Sequence, residues 1–438
     1  MRANRELVLE LYNAGVAAAA PGAATSRAVD GLNIAREKRI WIYAIGKAAH
    51  AMAAAAANSL LRSLHSIVGG VVVSPDGGPA PYPTLVSLRG DHPIPGRNSF
   101  TAAAKIAEVA AGRRGTDVAI VLLSGGTTSL IGAPLRDMSE ADLVALYELL
   151  LGSGLDIAEM NSVRKRFSRW GAGRLALALA PAATHCLAIS DVAGDDLGVI
   201  GSGPCSPDTN SVRDVAAILQ RANLMTRIPQ RHRDYLGAVS KGTIPDTPNK
   251  NHPAFAHVSA RVIGNNRIAI DAIGAKASER SLTVEMNETR LSGEAARCGE
   301  SIARHLLDAR ARGDSAKCFV WGGETTVTLS GSASHAGGGR CQELALAAAR
   351  VLNQAGDAAL GITLLAAGTD GRDGATDAAG AVVDASTWGS IAAGGRDPGN
   401  ALATHESFGA LKAADALIPR RDTGTNVNDV VIGLIQPS

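Results

Sequence analysis

Residues 39–74 read RIWIYAIGKAAHAMAAAAANSLLRSLHSIVGGVVVS. A β-rich apolar run turns at Gly46 into an alanine-rich stretch with helical spacing, and a second β-rich run follows. That order is a βαβ unit, because parallel strands need a crossover too long for a tight turn. The alternation continues outward, with a helix expected over 98–112 and a strand at DVAIVLLS, 117–124. Aromatic residues are only 3% of the chain. Alanine-lined helices can therefore approach the sheet closely, and Val, Ile and Leu must fill the core. The expected fold class is α/β: two α/β domains with largely parallel sheets and the active site in the interdomain cleft.

Two domains are expected because 438 residues exceed what one core usually organises. Residues 225–253 carry Pro229, Pro245, Pro248 and Pro253 with little apolar periodicity, so the boundary is placed there, giving domains over 1–245 and 255–438. In the second, helices at 266–280, 293–311 and 340–353 alternate with strands at 257–264, 282–286 and 317–329. The 43 basic and 41 acidic residues form no block of one sign, which argues against nucleic acid or an anionic membrane as partner. Five cysteines without a Cys-x-x-Cys pair disfavour a disulfide framework or a zinc knuckle, and a cytoplasmic location is expected. Glu10 and Asn13 interrupt the apolar stretch 7–20, which reads as an amphipathic helix, and no run reaches the roughly 18 apolar residues of a membrane span.

The chemistry concentrates where apolar runs break into polar turns. ITLLAAGTDGRDGATDAAGAVVD, 362–384, places Asp370, Asp373 and Asp377 in one loop, and CLAISDVAGDDLGVIGSGPCSPD, 186–208, places Asp191, Asp195 and Asp196 in another. Clustered carboxylates repel unless cations, N–H groups or water offset them. AIGKAAHAM sets Lys47 at a helix N-terminus suited to an anion, without the spacing of a Walker A loop. VLLSGGTTSLI, 121–131, supplies Ser124, Gly125, Gly126, Thr127 and Thr128 as an anion nest after a strand. In NSVRKRFSRWGAGR, 161–174, Arg164 or Lys165 suits a phosphate or carboxylate, while Arg166 and Arg169 read as a solvated face. Glu324 is expected in a strand-to-strand turn, followed by a Gly/Ser-rich loop able to close over a ligand and ending at Arg340 on a helix start. Taken singly, each has a plainer reading as a capped turn or a surface charge. Gly201–Ser206 fails the dinucleotide fingerprint, and His50, His92 and His185 read as structural or surface residues.

Together the segments AIGKAA (44–49), LLSGGTTSL (122–130), NSVRK (161–165), 188–208, GGETTVTL (322–329), GGRCQELAL (338–346), 368–384 and TGTNVNDV (423–430) resemble the glycerate 2-kinase family of the MOFRL type. Its members are class II glycerate kinases, often labelled hydroxypyruvate reductases. The resemblance covers nearly the whole chain and implies a Rossmann-like glycerate kinase domain followed by a MOFRL domain. It also implies transfer of the ATP γ-phosphoryl group to the 2-hydroxyl of D-glycerate with Mg²⁺, giving 2-phospho-D-glycerate. The catalytic residues implied are Lys47, Arg340, Asp370 and Asp191. Ser124, Gly125, Gly126, Thr127, Thr128, Arg164, Lys165, Glu324 and Asn426 are implied to bind substrate and nucleotide, with Asn428 beside them; no metal ligand is assigned. Lys47 and Arg340 are expected to neutralise the transferred group, and Lys47→Ala and Arg340→Ala each to lower kcat by orders of magnitude without unfolding the chain. Departures from the family pattern at Arg166, Gly171, Cys341 and 404–407 leave the hydroxy acid open. Competing readings are an NAD(P)H-dependent hydroxypyruvate reductase, a related aldonate kinase, and a ligand-binding protein without turnover. The partners expected are a small hydroxy acid and a nucleotide, with a homodimer as the assembly allowed for.

Overall fold

The computed structural model describes residues 2–135, 137–313, 315–329 and 337–437. It contains two compact units, one of Pro21–Gly264 and one of Met1–Ala20 with Asn265–Ser438.

In the first unit six strands, β1 (Arg39–Ile45), β2 (Ser66–Ser74), β3 (Leu85–Arg89), β4 (Val118–Leu123), β5 (Ala183–Ile189) and β6 (Val258–Gly264), form a sheet in the order β3-β2-β1-β4-β5-β6. Every neighbouring pair is parallel, as expected. All six residues of β4 are buried, which is what a parallel sheet covered by helices on both faces requires. The chain runs outward from β1 to β3 and returns to the other side of β1 as β4, so the strand order reverses between β1 and β4. In open α/β sheets, ligands bind beyond the carboxyl ends of the strands at such a reversal.

The expected boundary at 245–255 falls before β6, which hydrogen-bonds to β5 and so belongs to this first sheet. The proline-rich stretch was also misleading. It holds a helix, Gln230–Ser240, whose His232, Tyr235, Leu236 and Val239 recur at helical spacing and are buried; Phe167 packs edge-on against His232 and Tyr235.

The second unit's strands are β7 (Thr283–Met286), β8 (Lys317–Gly323), β9 (Ile362–Gly368), β10 (Ala378–Asp384), β11 (Leu417–Pro419) and β12 (Asp429–Ile435), in the order β11-β10-β9-β12-β8-β7. Here the expectation of a largely parallel sheet fails: only β7 and β8 are parallel, and the other four pairings are antiparallel. The loop joining β9 to β10 is too short for a crossover helix, so the two must run in opposite directions. No strand follows β8 within 324–329, so Glu324 ends a strand rather than turning a hairpin.

The first helix, Arg2–Ala18, packs in this second unit. The Tyr12 hydroxyl donates to Gly368 O at 2.7 Å, and a Cβ on Gly15 would stand 2.7 Å from Ile273 Cγ1. No single helix among the described residues is long and apolar enough to cross a membrane.

Candidate active site

Where β1 and β4 end, two turns are tied together. Lys47 N donates to Gly125 O at 2.9 Å, Ala48 N to Ser124 Oγ at 3.0 Å, and Ser124 N to Ile45 O at 3.0 Å. Gly46 has φ +132°, and a Cβ there would lie 2.1 Å from Ser124 Oγ, so only glycine permits this approach. Lys47 is thereby fixed at its backbone while its side chain remains exposed. The expected nest of hydroxyls is partly used up: the Thr127 hydroxyl donates inward to Ile45 O and Ser124 O, and the Thr128 hydroxyl pairs with that of Ser202. What remains for a ligand is chiefly the Gly125–Gly126 backbone.

Side chains flank this pair of glycines. Asp191, just beyond β5, places Oδ2 2.5 Å from where a Cβ of Gly125 would be, and His92 places Cδ2 3.3 Å from that of Gly126. Partial burial, then the charges of Lys47 and Arg164, hold the proton affinity of His92 below that of a free histidine. Arg164 is only 5% exposed, with its guanidinium 4.7 Å from the centre of the Tyr147 ring. Its Nε and Nη2 have no hydrogen-bond partner among the described residues. A buried guanidinium in that condition is poised for an anion.

The basic run around it divides. Lys165, grouped with Arg164 from sequence, is spent on Asp208 at 2.7 Å with 4% of its side chain exposed. Arg166, read as solvated, is fully buried and pairs with Asp208 and Asp246, whereas Arg169 is exposed over Trp170. Sequence cannot separate these cases, because a basic run looks the same whether its partners are water or distant carboxylates.

In the second sheet β12 pairs with β8 and β9 so that Asp429 faces Gly323 on one side and Gly368 on the other. Glu324, Asp370 and Asp429 therefore gather at one end of the sheet. Arg340, first residue of the helix Arg340–Ala355, grips Asp429 through Nε at 2.5 Å and Nη2 at 2.9 Å, and reaches Glu324 through Nη1 at 2.7 Å. Asn428 donates to Glu324 at 2.6 Å and accepts from Arg290 at 3.0 Å. Burial raises the carboxyl of Asp429 to about 6 against the pull of Arg340. Asp429 and Arg290 were missed in the sequence. The available signal was a carboxylate opening the apolar run DVVIGLI.

The acidic loop of 368–384 does not act as one group. Asp370 is half-buried and accepts from Arg372 N at 3.0 Å, and Asp377 is exposed. Asp373 instead caps the helix of Arg340, accepting from Cys341 N at 3.0 Å and Gln342 N at 2.8 Å. Asn426 accepts from Asn428 N at 3.3 Å. Residues 330–336 of the proposed closing loop lie outside the described residues.

Three of the departures from the family pattern are packing positions. Arg166 is ion-paired in the interior, Cys341 is 2% exposed, and a Cβ on Gly171 would lie 3.1 Å from the Lys165 backbone. Among the described residues no group of three or more His, Cys, Asp or Glu is arranged to hold a metal.

Residues 7–237 match a family described as a domain of unknown function, DUF4147, and residues 317–429 match the MOFRL family. The D-glycerate 2-kinase of Thermotoga maritima is 34% identical over 98% of this chain and 98% of its own length, and the glycerate 2-kinase of Pyrococcus horikoshii is 32% identical over 98% and 97%. The crystal structure of glycerate kinase from Thermotoga maritima superposes with a TM-score of 0.87, covering 99% of this chain and 100% of that one. Full-length similarity at this level, shared by sequence and fold, places the chain in the glycerate 2-kinase family of the MOFRL type.

Proposed function

We propose that this protein transfers the γ-phosphoryl group of ATP to the 2-hydroxyl of D-glycerate. The observation that carries the reading is Arg164, a buried guanidinium with unpartnered nitrogens in the unit that holds the Gly125–Gly126 turn. It suits the carboxylate of a small acid. Lys47, exposed at the same turn, supplies positive charge to the phosphoryl group; among the residues of the second unit, Arg340 is the candidate cation. Asp191 and Asp370 are the candidates to take the hydroxyl proton. Mg²⁺ binds through one or two carboxylates plus phosphate oxygens and water and would screen the phosphate charge; Asp191 in the first unit or Asp370 in the second is the candidate to hold it. All five cysteines are free thiols, in keeping with a cytoplasmic protein.

The test is turnover of D-glycerate with ATP, with phosphorus NMR of the product. Phosphate on C2 is expected; phosphate on C3 corrects the position, and ATP-independent NADH oxidation with hydroxypyruvate as the only activity ends the proposal. A variant sharpens it. Arg164→Leu is expected to raise KM for D-glycerate by about 10- to 100-fold, the worth of a charge-assisted pair, with KM for ATP little changed. The same change removes a buried charge without a carboxylate partner, so the unfolding midpoint is expected to hold or rise. Unchanged KM for the acid would remove Arg164 from the site.

A further inference from the structure

We propose that His92 is a specificity-determining contact, hydrogen-bonded to the hydroxyl of the acid substrate that is not phosphorylated. The inference rests on the functional reading above and adds a residue to it.

The segment carrying His92 is pinned on both sides. Asp91 accepts from Asn98 N at 2.9 Å and from Asn98 Nδ2 at 2.8 Å, its own N–H donates to Ser99 Oγ at 2.8 Å, and the Ser129 hydroxyl donates to Pro93 O at 2.5 Å. Between these anchors the side chain of His92 stays exposed, against Gly126 of the candidate turn. These bonds fix the backbone on either side of His92 and, among the described residues, none of them uses its ring.

The chemistry of the neighbours divides the work. Arg164 carries a fixed positive charge and takes the carboxylate. Asp191, beside Gly125, is acceptor-only when ionised, which suits the hydroxyl that must give up its proton. A neutral imidazole both donates and accepts, which suits a hydroxyl that keeps its proton. Partial burial first, and then the charges of Lys47 and Arg164, favour that neutral form. A site built around such a pair discriminates against an acid lacking the second hydroxyl, because the imidazole is then left unmatched.

Binding of D-glycerate and of D-lactate, the same acid without the C3 hydroxyl, is measured by calorimetry on the full chain as wild type, His92→Leu and His92→Gln. The wild type is expected to prefer D-glycerate by about 10-fold, His92→Leu to erase the preference by weakening D-glycerate alone, and His92→Gln, which can still donate and accept, to keep part of it. Equal weakening of both acids, or an unchanged preference in His92→Leu, overturns the inference and leaves the kinase reading standing. A wild type that binds neither acid overturns both.

Discussion

Arg340→Ala is expected to lower kcat by about 10²- to 10³-fold, the effect of removing one charge-stabilising group from a transition state, and to lower stability as well. The second effect was not expected from sequence, where the residue reads only as a ligand-facing cation. In the structure Arg340 holds Asp429, whose side chain is 6% exposed, in a two-point grip. Without it the carboxylate is buried unpaired, and breaking such a pair costs several kcal/mol. An upper bound follows from protonation, since neutralising a carboxyl with an unfolded pKa near 4 costs about 4 kcal/mol at pH 7. The sign with pH is fixed. In the variant the folded pKa of Asp429 lies still further above its unfolded value, so the folded state takes up a proton. The deficit relative to wild type is therefore largest at neutral and alkaline pH and shrinks as pH falls through about 6, where Asp429 takes up its proton even with Arg340 in place. Urea unfolding at pH 5 and pH 8 should show that trend, and Arg340→Ala/Asp429→Asn should recover stability without recovering turnover. Near-normal kcat in the single variant would remove Arg340 from the reaction.

The parts of this molecule legible in sequence are those whose cause is local. The turn at Gly46 was legible because a glycine closing an apolar run just before a helical stretch has few other uses. The helix expected from 98 starts at Arg97, and the one expected from Arg340 starts there. What escaped depends on residues far apart in the chain. Whether β9 and β10 run parallel is not written in either strand. The burial of Arg166 depends on Asp208 and Asp246, and the N-terminal helix belongs with the second unit through Gly368, Thr425 and Ile273. Asp373 illustrates the same limit within a site. Its neighbours in sequence suggested one cluster of carboxylates in a shared polar site, but the helix N-terminus at Cys341 and Gln342 claims both oxygens.

Lys47→Ala is the complementary case, with activity and stability expected to separate. Lys47 is exposed, and the bond that fixes its position is made by its backbone N–H to Gly125 O, which any non-proline residue retains. Surface substitutions of this kind usually change stability by less than about 0.5 kcal/mol. Turnover should nevertheless fall by about 10²- to 10³-fold, because the ammonium is the exposed cation that the β1 turn presents where the strand order reverses. The loss should appear in kcat more than in KM for either substrate, since charge builds up on the phosphoryl group chiefly in the transition state. Lys47→Arg separates charge from shape: a planar fork on a different stem keeps the charge but displaces it, so partial recovery is expected. A loss confined to KM for ATP would make Lys47 a ground-state anchor of the nucleotide. Full activity in Lys47→Ala would mean that the positive charge needed for transfer comes from elsewhere, and the role given to the β1 turn would fall with it.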